Sequence, residues 1–142
     1  MSFQEKFRWV YLGVAVVTNL AYVAIILWRA QGTPITEVSY AWPMIGAIGV
    51  TIVATIAGSI LAAIAEFRAG ERRFEPDERD AGIHRRGEAI GYALFSVGIL
   101  GALGLTMAEV AHFWIGNAIY LTGVLVSLIS NAVKLVAYRR GF

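Results

Sequence analysis

Stretches without charged side chains dominate the hydrophobic pattern of this chain. Four of them contain no Asp, Glu, Lys or Arg, at residues 9–28, 38–65, 89–108 and 110–133. A surface helix of a soluble protein carries polar residues along one face, whereas a helix that crosses a bilayer needs about 20 consecutive apolar residues. The pattern therefore predicts four membrane spans joined by short connections, the longest of them at 67–87. The predicted spans lie at about residues 9–28, 42–66, 88–108 and 113–134.

The composition agrees with this interpretation. Of 142 residues, 58% are hydrophobic and 15% are charged, whereas soluble domains average about 45–50% and about 25%. Aromatic rings prefer the membrane interface, and all four tryptophans lie at predicted span ends, at Trp9, Trp28, Trp42 and Trp114. We therefore expect an all-α polytopic membrane protein. Residues 1–142 would form one antiparallel bundle of four transmembrane helices.

The distribution of positive charge predicts the orientation of this bundle. Basic residues in short connections stay on the cytoplasmic side. Of the 12 Lys and Arg, only Arg29 lies on the side that holds the connection between the first two spans and the turn at 109–112. The other eleven lie near the two termini or in the 67–87 connection. We therefore expect both termini in the cytoplasm, and a multi-pass protein of a bacterial-type inner membrane.

The 67–87 connection also contains a helix-start signal. Pro76 followed by Asp77 and Glu78 is typical of a first helical turn, because acidic side chains complement the positive end of the helix dipole. We predict that the third helix begins near Pro76 and extends about two to three turns into the cytoplasm before it enters the bilayer. The short turn at 109–112 predicts that the third and fourth helices are antiparallel neighbours.

Small residues recur at helical spacing on the predicted spans. Because lipid tails are as apolar as leucine, membrane helices associate through close packing of small residues and through interhelical hydrogen bonds. We expect helix packing at six glycines, Gly87, Gly91, Gly98, Gly101, Gly116 and Gly123. Two positions for these stripes remain open, the bundle interior and the interface of a homo-oligomer. A homo-oligomer is expected in either case.

Polar side chains inside the spans are the candidates for a pathway between the helices. The candidates for a polar seam are Asn19, Thr51, Thr55, Ser127, Asn131 and Lys134. We expect the Asn19 amide to hydrogen-bond a neighbouring helix; the alternative is that it lines a polar pathway. Lys134 can extend to the cytoplasmic headgroups, or pair with Glu66 or Glu88 at the same depth.

Charged side chains in and after the 67–87 connection are candidates for contact with a cytosolic or membrane partner. The candidate residues are Glu75, Asp77, Glu78, Arg79, Asp80, Arg85 and Arg86. A solvated, self-paired connection that only enforces topology is the simpler interpretation. A metal or nucleotide site is disfavoured, because interleaved arginines neutralise the carboxylates and a hard-cation site needs more oxygen ligands.

Catalytic and cofactor-binding patterns are absent from the sequence. It contains no Cys, and no phosphate-loop, zinc-protease or nucleophile-elbow motif. His84 and His112 would bracket the third helix about 42 Å apart, too far to share a haem. The first span also lacks the glutamate on which small four-helix drug/proton antiporters depend. We expect no enzyme activity, cofactor, metal or nucleic-acid partner, while the basic clusters beside the helices favour an anionic lipid surface.

Two stretches resemble a family of uncharacterised small four-span integral membrane proteins of bacteria and archaea. The first is P-D-E-R-D-x-x-I at residues 76–83, and the second is F-W-I-x-N-A-I-Y at residues 113–120. The resemblance covers most of the two C-terminal spans and the connection before them. It implies a four-span topology with a charged cytoplasmic turn and no particular activity.

Two functions fit these observations. The first is a non-enzymatic scaffold or accessory subunit that contacts a partner through its charged cytoplasmic turn. The alternative is a small homo-oligomeric transporter or channel, whose pathway follows the polar seam between the helices. The absence of acidic residues inside the four uncharged stretches argues against an intramembrane enzyme.

Overall fold

The computed structural model describes residues 3–69 and 78–140, and over these residues the chain is all-helical. Its long helices are α1 (Phe3–Arg29), α2 (Ala41–Ala69), α3 (Glu78–Met107) and α4 (His112–Arg140). A short 3-10 helix, Ile35–Glu37, lies between α1 and α2. The prediction of an all-α chain is confirmed for the part of the chain that is described.

Each long helix contains a stretch that is long and apolar enough to cross a membrane. The stretches are Arg8–Arg29, Ala41–Ala65, Ala81–Met107 and His112–Ala137, of 22, 25, 27 and 26 residues. A helix rises about 1.5 Å per residue, so each stretch covers a hydrocarbon core about 30 Å thick. The prediction of four helices suited to spanning a membrane is confirmed, and the protein is described below as a multi-pass membrane protein.

The helices pack in the spatial order α2, α1, α4, α3. The α3–α4 interface is the most extensive, followed by α1–α2 and then α1–α4. The first of these agrees with the prediction that the short turn makes α3 and α4 neighbours. Between α2 and α3, over their described residues, there is no comparable interface. The two outer helices therefore leave a cleft between them, with α1 and α4 as its floor.

The turn between α3 and α4 is closed by backbone hydrogen bonds. The amide of Val110 donates to the Leu105 oxygen (3.1 Å), and that of Glu109 donates to Thr106 (3.1 Å). Glu109 has a φ of 53°, the left-handed conformation that commonly ends a helix. Because this turn is short and is held by these backbone hydrogen bonds, α4 returns directly alongside α3.

A buried hydrophobic cluster lies at the end of the bundle that holds this turn and the 3-10 helix. The buried cluster there consists of Tyr22, Ile26, Val38, Ala47 and Phe113. Tyr40 packs edge-on against Phe113, with ring centroids 5.4 Å apart, and donates a hydrogen bond to the His112 oxygen (3.2 Å). These contacts join α1, α2 and α4 at one end of the molecule.

Four of the six candidate packing glycines lie directly against another side chain. A Cβ added to Gly87, Gly91 or Gly98 would overlap Lys134, Ser130 or Thr122 of α4, and one added to Gly116 would overlap Tyr40. A Cβ at Gly101 or Gly123 would meet no atom within 4 Å. Within this chain, therefore, the close approach of α3 to α4 depends on Gly87, Gly91 and Gly98.

Gly98→Leu is expected to weaken the α3–α4 interface, because the added side chain must displace Thr122. Overpacking of this kind costs about 1–3 kcal/mol. The matched control is Gly101→Leu on the same helix, where the added Cβ has open space. Thermal unfolding of both variants in detergent measures the difference, and an equal loss of stability in the two would contradict this packing.

Candidate functional site

A cavity of about 410 Å³ lies in the cleft between α2 and α3, and it is called the central cavity below. All four long helices line it, and most of its wall is apolar. Its polar wall consists of Tyr11, Asn19, Thr51, Tyr120 and Ser127. A mostly apolar cavity of this size with a few polar groups is typical of a binding site for a small molecule.

The Asn19 amide is satisfied in an unexpected way. Its Nδ2 donates to the Ala15 oxygen of its own helix at 2.7 Å, so the expected hydrogen bond to a neighbouring helix is not formed. The Thr51 hydroxyl likewise donates to the Ala47 oxygen of α2 at 2.9 Å. Both side chains therefore satisfy a donor on their own helix, and both line the central cavity.

Tyrosines fix α1 against α4, the floor of the central cavity. Tyr11 shares a hydrogen bond with Ser127. Tyr22 donates to Oδ1 of Asn117 at 2.6 Å, and its ring lies 4.9 Å from that of Tyr120. Burial of Tyr hydroxyls without a partner is costly in hydrocarbon, so these pairs set the register between α1 and α4.

These aromatic residues were not among the sequence candidates. The signal that could have found them is helical spacing, since Tyr11, Ala15, Asn19 and Tyr22 lie three or four residues apart and so share one face of α1. Phe95 of α3 also lines the central cavity. Its spacing along the chain does not distinguish Phe95 from the other large apolar residues of α3.

A second cavity of about 380 Å³ adjoins the first, and Phe95 and Ser127 line both. It is called the Lys134 pocket below, and its polar wall includes Glu88, Ser130, Asn131 and Lys134. The two cavities therefore lie side by side, and the Lys134 pocket lies nearer the N-terminal part of α3.

Lys134 forms an ion pair at the far end of this pocket. Its Nζ lies 2.6 Å from Oε1 of Glu88, and the Lys134 side chain is 7% exposed whereas that of Glu88 is 43% exposed. His84 reaches the same carboxylate oxygen at 3.7 Å. Of the two acidic partners expected for Lys134, the structure therefore brings Glu88 to it; the Glu66 side chain lies outside the described residues.

Glycines on α3 make room for this arrangement. A Cβ on Gly87 would lie 2.5 Å from Cε of Lys134, and one on Gly91 would lie 2.6 Å from Oγ of Ser130. The lysine stem therefore passes across α3 at a position where only glycine leaves space. Burial of a charged group is costly unless it is paired, so the Glu88 carboxylate and this glycine gap together hold the ammonium in place.

The structure gathers most of the predicted polar seam into these two cavities. Asn19, Thr51 and Ser127 line the central cavity, and Asn131 and Lys134 line the Lys134 pocket. Thr55 lies elsewhere, beside α1 at the α1–α2 contact. Its hydroxyl donates to the Thr51 oxygen at 2.7 Å, and Thr55 lines neither the central cavity nor the Lys134 pocket.

The charged connection is described only in part. Arg85 and Arg86 are exposed on the early turns of α3. The side chains of the other candidate contact residues lie outside the described part of the chain; these are Glu75, Asp77, Glu78, Arg79 and Asp80. Among the side chains that are described, no three His, Cys, Asp or Glu lie close enough together to hold a metal ion.

No protein-family model, curated protein or solved structure matches the chain. The resemblance carried by residues 76–83 and 113–120 therefore stays a prediction. The basis for a functional inference is the geometry of the central cavity and the Lys134 pocket.

Proposed function

We propose that the protein is a small, non-enzymatic transporter that binds an amphiphilic molecule in the cleft between α2 and α3. The observation that carries this proposal is the separation of these two helices around a central cavity of about 410 Å³. A bundle with a purely structural role would gain stability by closing this gap, because close packing is what holds membrane helices together.

The chemistry of the cavity indicates the class of ligand. Its wall is mostly apolar, and its hydrogen-bonding groups come from Asn19, Thr51 and the Tyr11–Ser127 pair. None of these groups is charged. An alkyl chain with a small hydrogen-bonding head group matches such a wall, and it can enter from the bilayer through the opening between α2 and α3.

The direction of the cleft follows from the proposed orientation. With eleven of the 12 basic residues on one side, both termini lie in the cytoplasm of a bacterial-type cell, and α3 extends beyond the inner membrane on that side. The Lys134 pocket is then the cytoplasmic end of the cleft. In this proposal a bound molecule moves towards that end past Phe95 and Ser127, which line both cavities.

Gly123→Leu tests the central cavity, because Gly123 lines it and has open space at its Cβ. The probe is a diazirine-bearing alkanol that is photoactivated with the purified protein in a neutral detergent, and mass spectrometry identifies the labelled residues. We expect saturable labelling of cavity residues in the wild type, and a loss of about tenfold or more in Gly123→Leu, because the leucine side chain fills the site.

Gly101→Leu is the matched control, because Gly101 also has open space but is not among the residues that line the cavity. It should leave the labelling unchanged. Labelling that excess unmodified alkanol does not displace, or that falls equally in both variants, would contradict the proposed binding site.

A second function, that of an accessory subunit, is favoured by one specific observation. Arg85 and Arg86 are exposed on the early turns of α3, where the charged connection leads into the span. In the proposed orientation these guanidinium groups face the cytoplasmic surface, where an acidic partner could bind them. The same protein in homo-oligomeric form would then present several copies of this surface.

Charge reversal tests the accessory role. Arg85→Glu with Arg86→Glu should abolish co-purification of any partner that uses this surface, because like charges across an interface are repulsive. Membrane insertion and the elution profile should stay unchanged. An identical set of co-purified proteins in the double variant and the wild type would contradict this function and leave the central cavity unaffected.

A further inference from the structure

We propose that Lys134 binds the head group of a single-chain amphiphile that carries one negative charge, such as a medium-chain fatty acid. This inference rests on the proposed function and names its substrate class. The ammonium of Lys134 binds the carboxylate of the ligand, and the alkyl chain lies in the central cavity.

The first argument is that the position of the cation is built into the fold. The Lys134 side chain is 7% exposed, and its stem occupies the space left by Gly87. A lysine that only had to reach the headgroup region would extend outwards to water. Here Lys134 instead lines a pocket together with Ser130 and Asn131.

The second argument is that the present partner of Lys134 is able to leave. The Glu88 side chain is 43% exposed, so its carboxylate can return to water at little cost. His84 lies one helical turn before Glu88 and already approaches the same oxygen at 3.7 Å. Glu88 therefore neutralises the lysine and can be exchanged for another carboxylate.

The third argument is that the two cavities adjoin. Phe95 and Ser127 line both of them. Ser127 and Lys134 are about 10 Å apart along α4, at 1.5 Å per residue. A single alkyl chain of medium length whose head lies at Lys134 therefore reaches the central cavity, where the walls are apolar.

Charge balance selects the head group. Exchange of the Glu88 carboxylate for a ligand carboxylate keeps one negative charge beside one ammonium, so no buried charge is left unpaired. An uncharged head group would leave Glu88 in place and would bind only through the central cavity. A fatty acid and the corresponding alcohol should therefore respond differently to changes at Lys134.

The test compares two diazirine probes of the same chain length, one a carboxylic acid and one an alcohol, on the full-length protein in neutral detergent. A pH of about 8 keeps the acid probe ionised. Lys134→Gln should weaken binding of the acid about tenfold to a hundredfold, the value of a charge-assisted hydrogen bond. The same variant should leave binding of the alcohol unchanged.

Glu88→Gln supplies the second variant, and it keeps the cation in place. It should strengthen binding of the acid severalfold, because the competing carboxylate is gone, and it should leave binding of the alcohol unchanged. Arg85→Gln is the matched control for a general loss of positive charge on the same surface. It should change neither probe.

The two proposals fail in different ways. Equal binding of the acid to the wild type and Lys134→Gln, or no gain in Glu88→Gln, would overturn the role of Lys134 while the alcohol still labels the central cavity. If neither probe labels the protein saturably, the proposed function itself is overturned. Should Lys134→Gln fail to fold, the Glu88→Gln result still decides the role of Lys134.

Discussion

The absence of water from the bilayer core is the constraint on which the structure of this protein depends. Every backbone polar group inside the spans needs a partner within the protein, and a side-chain polar group buried there without one is costly. Asn19, Thr51 and Asn131 satisfy donors on their own helices, while Tyr11 and Lys134 are paired across helices. These polar groups all lie on the walls of the cleft, so lipid contacts mainly the apolar outer faces of the bundle.

This distribution of polar groups explains the role of α4. It is the helix that contacts both α1 and α3, and it supplies Ser127, Asn131 and Lys134 to the two cavities. Glycines on α3 allow α3 to pack closely against α4. By contrast, α2 is held mainly by α1, which leaves the opening towards α3. This uneven packing is the basis of the proposed ligand-binding role, and the ion pair between Lys134 and Glu88 lies in the adjoining Lys134 pocket.

Sequence reasoning predicted the parts of this structure that depend on local pattern. The four uncharged stretches predicted four long helices, and the short turn predicted that α3 and α4 are neighbours. Polar residues at helical spacing predicted much of the lining of the two cavities. The separation of α2 from α3 was not predictable. All four helices carry leucine, isoleucine and valine, and these residues do not specify which helices pack against each other. The choice of Glu88 for Lys134, and the hydrogen bond from Tyr22 to Asn117, depend on the register between helices. That register is set by three-dimensional packing rather than by spacing along the chain.

Disulfide cross-linking in lipid nanodiscs is the most direct test of the open cleft, and the absence of native cysteine makes it free of background. A disulfide needs two Cα atoms within about 7 Å and two Cβ atoms about 3.5–4.5 Å apart. The double variant G91C/S130C should cross-link α3 to α4 rapidly, because a Cβ on Gly91 would lie 3.8 Å from Cβ of Ser130. The pair I52C/F95C, on opposite sides of the central cavity, should cross-link far more slowly. Equal rates for the two pairs would show that α2 and α3 are in contact, which contradicts the cleft.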